Sequence, residues 1–146
     1  MSAGERGAIV WRVSLSSPPE RVFEILSTDR GRERFWVERS ETDGDVVELT
    51  FPNGLVHVAR VVATDRPRTF AIGYLGGSVA SFSIESRNDG WTTLTLRDEG
   101  VPEEDQTETL AGWISVLMAL KAAVDHGIDL RNHDPRRTWD QGFVDN

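Results

Sequence analysis

Few side chains in this sequence stand where they can do chemistry, and none of them forms a familiar catalytic spacing. Asp98 closes the alternation Leu94, Leu96, Asp98, which turns its carboxylate to the same face as two leucines. A carboxylate buried at a cavity mouth has a raised pKa and can act as a general base. The competing reading is a strand-end aspartate bonded to helix N–H groups. Tyr74, the sole tyrosine, follows Phe70 and Ile72 on the apolar side of another strand. Its hydroxyl either serves a ligand or reaches the rim of a core. Lys121 lies four residues after Leu117, so it either meets an acidic ligand or Asp98, or snorkels to water. His57, His126 and His133 share no ligand spacing and there is no cysteine, so neither a metal nor a cofactor is expected. Ser78, Ser81 and Ser83 precede no nucleophile elbow, and Gly76-Gly77 opens no helix that would make it a phosphate cradle. Any catalysis falls to Asp98 and Tyr74.

The elements that position these residues are announced by turns. Asp43-Gly44, Asn53-Gly54, Asp65-Arg66-Pro67, Gly76-Gly77 and Asp89-Gly90 recur at near-even spacing, so residues 37–99 read as six antiparallel strands in a meander. Within it Val47, Leu49 and Phe51 share a face, as do Ala80, Phe82 and Ile84, while intervening residues are polar. The strand at 55–63 carries valines on both sides, which leaves its facing open. A first strand spans 8–15. Ser17-Pro18-Pro19-Glu20 then predicts a helix start with a capping box, and a short second helix covers 29–35, weakened by Gly31. A last helix begins between Pro102 and Asp105, with Asp105 and Glu108 as its capping box, and stops at Gly127. About 22 residues at ~1.5 Å each span roughly 33 Å, enough to cross a small domain. Leu110, Trp113, Ile114, Leu117, Leu120, Val124 and Ile128 make its inward stripe, and Ala111, Gly112, Ser115, Ala119, Ala122 and Ala123 its back. A back so free of charge predicts a cover on that side too.

The chain has 146 residues, a net charge of −8 and scattered basic residues. It therefore reads as one domain over 1–130 with a tail at 131–146, and partners that need a basic stripe, nucleic acid and anionic membranes, are excluded. With no signal-peptide core in its first residues, a cytoplasmic location is expected.

Ser17-Pro18-Pro19-Glu20-Arg21-Val22-Phe23, Phe35-Trp36, Asp65-Arg66-Pro67-Arg68-Thr69-Phe70, Leu94-Thr95-Leu96 with Gly100, and Gly112-Trp113 resemble the SRPBCC or START-like superfamily. Within it they look like the branch of activator-of-HSP-90-ATPase homologues and polyketide cyclase-like proteins. The resemblance covers about residues 8–128. It implies an α+β helix-grip fold, β-α-α-β6-α, with seven curved antiparallel strands wrapped around the C-terminal helix. It also implies a cavity between sheet and helix, and carries no universal catalytic motif.

On this reading the chain binds a small hydrophobic or amphipathic molecule. Trp36, Phe51, Phe70, Ile72, Tyr74, Phe82, Trp113, Leu117 and Lys121 are the expected contacts. The rivals are a cyclase, dehydratase or hydrolase on the same cavity, and a cochaperone-like interaction module. The back of the last helix is expected to be covered either by the tail, through Trp139 and Phe143, or by a second subunit. A homodimer bordered by the tail is the preferred arrangement.

Overall fold

Seven strands pair antiparallel in the order β1-β7-β6-β5-β4-β3-β2 in the computed structural model, which describes residues 8–146. The chain runs β1 (Ile9–Leu15), α1 (Pro19–Ser27), α2 (Asp29–Arg32), β2 (Arg39–Asp43), β3 (Val46–Thr50), β4 (Val56–Asp65), β5 (Thr69–Gly73), β6 (Val79–Ser86), β7 (Thr92–Glu99) and α3 (Gln106–His126). The first strand closes on the last, with Ile9 opposite Asp98 and Trp11 opposite Leu96. Sheet and long C-terminal helix together make the helix-grip fold.

Alternation does most of the sorting. Val47, Leu49, Phe70, Ile72, Phe82, Ile84, Leu94 and Leu96 are all buried on the concave face, beneath Trp113, Leu117, Leu120 and Val124 of α3. The facing of β4, open in the sequence, is decided by Ala59, which is buried. Val56, Val58 and Val62 point outward and are exposed. The register also shifts between Val61 and Ala63.

Several local expectations are corrected. Ser17 does not cap α1. Its hydroxyl donates to the Val124 carbonyl (3.0 Å) and to Asp125 Oδ1 (2.7 Å), which ties the start of α1 to the end of α3. Glu20 pairs with Arg66 rather than completing a capping box. Asp105 makes no side-chain cap either, and a short 3₁₀ turn at Glu103–Asp105 leads into α3. The second helix is one turn, capped by Thr28, whose Oγ1 accepts from the Gly31 N–H at 3.0 Å. Gly31 is there for space: a Cβ at this position would stand 2.4 Å from the Ile25 carbonyl oxygen.

The faces of α3 also differ from expectation. Ile114 and Ile128, assigned inward, are exposed, whereas Ala119 and Ala123 of the assigned back are buried. The buried arc is rotated toward the side that meets the tail. There a Cβ on Gly112 would meet Trp139 at 3.7 Å, and Ser115 Oγ donates to the Val144 carbonyl (2.5 Å). By length and composition the segment Glu103–His126 is apolar enough to cross a membrane; here one side of it forms the core.

The tail is anchored near its start. Arg131, buried, donates to the carbonyls of Val37 (2.8 Å) and Glu33 (2.6 Å) and pairs with Asp129 (3.0 Å). His133 bonds Asp129 (2.8 Å) and Glu38.

Candidate functional site

The middle of the grip is filled with rings. Trp36 and Trp113 lie 5.6 Å apart, Tyr74 and Trp113 4.8 Å, and Phe82 packs edge-on to Trp36 (5.9 Å) and Trp113 (5.8 Å). Each ring arrives from a different element. Trp36 comes from the turn after α2, Tyr74 follows β5, Phe82 sits in β6 and Trp113 in the first half of α3. Pairs of this geometry stabilise by about 0.5–1.5 kcal/mol beyond their buried area. A cluster so packed is a floor, and the open space lies above it.

That space is a pocket of about 320 Å³ at the mouth of the grip. Trp36, Phe51, Tyr74 and Trp113 form its aromatic lining together with Trp139 of the tail. Leu55, Leu75 and Val116 add aliphatic surface, and Asn53, Glu108 and Asp140 bring polar groups to it. A concave, mostly apolar site with few polar groups is the usual form of a small-molecule site.

The polar atoms beneath the pocket are incompletely matched. Tyr74 Oη accepts from Trp36 Nε1 at 3.2 Å and, among the described residues, donates to no acceptor. Burial pushes its pKa far up, so the phenol keeps its proton. Trp113 Nε1 donates to Asp98 Oδ2 at 2.8 Å, while Asp98 Oδ1, fully buried, has no hydrogen-bond partner among the described residues. Burial raises the Asp98 pKa, opposed by the Ser78 hydroxyl and the Trp113 indole, which favour the ion. That hydroxyl donates to the Leu75 carbonyl (3.2 Å), and its single proton serves one acceptor at a time. His57, half-buried with its ring edge-on to Tyr74 at 6.2 Å, holds an Nε2 without a partner among the described residues.

The sequence candidates thus divide into three groups. Trp36, Phe51, Tyr74 and Trp113 line the pocket. Phe70, Ile72, Phe82 and Leu117 are buried deeper and do not line it. Asp98 does not line it and bonds the lining Trp113 from behind. Lys121 lies outside: its ammonium bonds the Ser14 carbonyl, sits over Trp91 (5.2 Å) and approaches Asp125 (3.6 Å). Glu108, Leu55, Asn53 and Asp140 had no periodic signal that would mark them as lining, and His57 lay on the strand whose facing was open. Among the described residues no three carboxylates or imidazoles converge as a metal site requires.

A second concavity of about 450 Å³ lies between α1, α2 and the end of α3. Its walls mix charged side chains, Arg21, Glu24, Arg30, Arg34 and Asp125, with Ile25, Ala123 and Val124.

No protein-family model and no curated protein matches the sequence. Solved structures do match the fold. Protein SSP2350 from Staphylococcus saprophyticus superposes with a TM-score of 0.73 at 21% identity, over 85% of this chain and 96% of that one. The Aha1 dimer from Colwellia psychrerythraea gives 0.74 at 21%, over 82% and 97%. DynU16, a protein of the dynemicin biosynthetic locus, gives 0.73 at 20%, over 84% of this chain and 49% of its own. At these identities the fold is what is shared.

Proposed function

We propose that this protein binds a small hydrophobic or amphipathic molecule in the pocket above Trp36, Tyr74 and Trp113. The observation that carries the reading is the coincidence of apolar space with spare polar capacity. Both buried side-chain atoms without partners among the described residues, Asp98 Oδ1 and His57 Nε2, flank the rings that line the pocket. Buried polar atoms are nearly always paired, so such exceptions call for a reason. The free phenol proton of Tyr74 offers a ligand one hydrogen bond, and the rings offer it area.

The test is binding of an environment-sensitive apolar dye to the native protein, followed by mass spectrometry under native conditions for a co-purified molecule. Val116→Trp, at the half-buried wall, should fill the space and reduce dye binding at least tenfold. Dye binding that is absent in the wild type, or unchanged in this variant, rejects the reading.

A second copy of the chain is the proposed protein partner. The exposed side of α3 presents Ala111, Ile114 and Met118, with no charge among them. One protein of this fold, the Colwellia Aha1, is described as a dimer. The face differs from the small-residue back first expected, because Gly112 and Ser115 already meet the tail. Sedimentation should show a dimer that Met118→Glu converts to a folded monomer; a wild-type monomer at tens of micromolar overturns this.

A further inference from the structure

We propose that the pocket selects amphipathic molecules that carry a positive charge, an organic ammonium ion above all. The inference rests on the binding reading just given and adds the charge of the ligand. Three observations support it.

The ionisable residues at the pocket, apart from Tyr74, are Glu108 and Asp140, and no lysine, arginine or histidine lines it. Among the described residues neither carboxylate has a basic partner. Glu108 is exposed and makes no ion pair, while Asp140 is held by hydrogen bonds from Thr138 and, more weakly, Asn53. Elsewhere carboxylates are paired with arginine repeatedly, as in Asp45 with Arg60, Glu20 with Arg66 and Asp29 with Arg32.

The second observation concerns the rings. A cation over an aromatic face is attracted by the ring quadrupole, by about 0.5–1 kcal/mol when exposed and 2 or more when desolvated. Among the described residues this contact occurs three times, Arg32 over Phe70, Arg66 over Phe23 and Lys121 over Trp91. None of those rings lines the pocket. Among the described residues no cation of the protein sits over Trp36, Tyr74 or Trp113, which belong to the densest group of ring contacts, or over Trp139.

The third is the overall field. A net charge of −8 raises the local concentration of cations, and a cleft with low-dielectric walls focuses that field. An anion would enter against the global charge, meet two carboxylates and find no basic side chain. A cation would place its head between Glu108 and Asp140 and its apolar body on the indoles. An acceptor atom on that body can take the Tyr74 proton.

Three probes with one aromatic body separate the possibilities: naphthylmethyl-trimethylammonium, naphthylmethanol and naphthoate. Their affinities are measured by calorimetry at low salt. The cation should bind at least tenfold more tightly than the alcohol, and naphthoate most weakly. The double variant Glu108→Gln/Asp140→Asn should reduce the preference for the cation over the alcohol to threefold or less. If the alcohol matches the cation, or naphthoate is preferred, the charge inference fails and the pocket reading stands. A cation preference that survives the double variant also overturns the role given to the two carboxylates. If none of the probes binds, the pocket reading fails and takes this inference with it.

Discussion

The aromatic pocket and the arginine-rimmed groove are concavities of similar size, about 320 and 450 Å³, built on opposite plans. Around the groove Arg34 and Asp125 are consumed by structure. Arg34 donates to the Ala123 carbonyl (3.0 Å), and Asp125 takes bonds from the N–H groups of Ser16 and Ser17 and from the Ser17 hydroxyl. Behind α2, the Arg32 guanidinium reaches Ser40, Asp29, Thr42 and the Leu26 carbonyl. Under the pocket the opposite holds, for Asp98 Oδ1, His57 Nε2 and the Tyr74 proton are unspent. Size alone would favour the groove. Unused hydrogen-bonding capacity beside apolar area favours the pocket, because packing for stability tends to remove both.

The same contrast is expected in a matched pair of substitutions. Gly31→Ala, in the groove wall, puts a methyl 2.4 Å from the Ile25 carbonyl oxygen and 2.6 Å from its Cα, and backbone cannot give way. A loss of about 3 kcal/mol is expected from overpacking of this kind. Gly112→Ala, in the pocket wall, meets Trp139 at an ordinary 3.7 Å and gains helix propensity. It should stabilise by about 0.5–1 kcal/mol. Chemical denaturation of both variants decides. Equal effects at the two sites would remove the distinction between a wall fixed by close backbone contact and one with room to spare.

How much of this was legible beforehand follows from what periodicity can report. Alternation gives the side of a strand to which a residue points, so Tyr74 and Phe82 were both correctly faced. It does not give depth along the sheet, and only Tyr74 is near the mouth. The facing of β4 was unreadable because its outward residues, Val56, Val58 and Val62, are more apolar than the inward Ala59 and His57. Ser17 has the position of a helix cap, yet its hydroxyl is taken by a contact 107 residues away, at Val124. Trp139 and Asp140 reach the pocket on a tail without regular periodicity, so no local pattern marks Asp140. The fold lay in local signals; the part of the pocket wall that the tail supplies lay in tertiary ones.

The next effect in size belongs to Asp98. Its folded pKa is raised, so the folded state holds that proton to higher pH than the unfolded chain does. Its contribution to stability is therefore fullest below the ordinary carboxylate value of about 4 and declines as pH rises through the folded pKa. Asp98→Asn removes the decline. The amide oxygen still accepts from Trp113, and the amide carries no charge to bury. At pH 7 the variant should be more stable by about 1–2 kcal/mol, the scale of an unmatched buried charge. At pH 3 the two should be equal. Asp29, Asp125 and Asp129 have lowered values and act in the opposite sense, so the quantity to follow is the difference between wild type and variant. A variant less stable at neutral pH would show that the ionised form is built into the fold, and the spare acceptor beneath the pocket would lose its meaning.

The smallest effect concerns the tail, which supplies a pocket wall and no part of the groove. Its anchor includes His133, whose pKa is raised first by the hydrogen bond to Asp129 and then, against partial burial, by Glu38. For Asp129 burial acts upward, but Arg131 and His133 outweigh it and bring the carboxyl down to about 2. The signs differ. The histidine contribution is complete below its unfolded value near 6.5 and is lost as pH rises through the higher folded value. The Asp129 contribution is present above about 4 and is lost only toward pH 2. The tether is therefore tightest between roughly pH 4 and 6.5 and loosens on the alkaline side. Because His133 is partly exposed, screening limits the change to a few tenths of a kcal/mol. Its backbone lies in the left-handed region (φ 54°), so His133→Asn is the variant that tolerates the conformation without the charge. Amide exchange of residues 138–144 should be slower at pH 6 than at pH 8 in the wild type, after correction for intrinsic rates. In His133→Asn that ratio should fall to one, with the exchange of α1 and α2 unchanged. A pH-dependence that persists in the variant, or that appears equally around the groove, would mean that the tail is not held by this histidine.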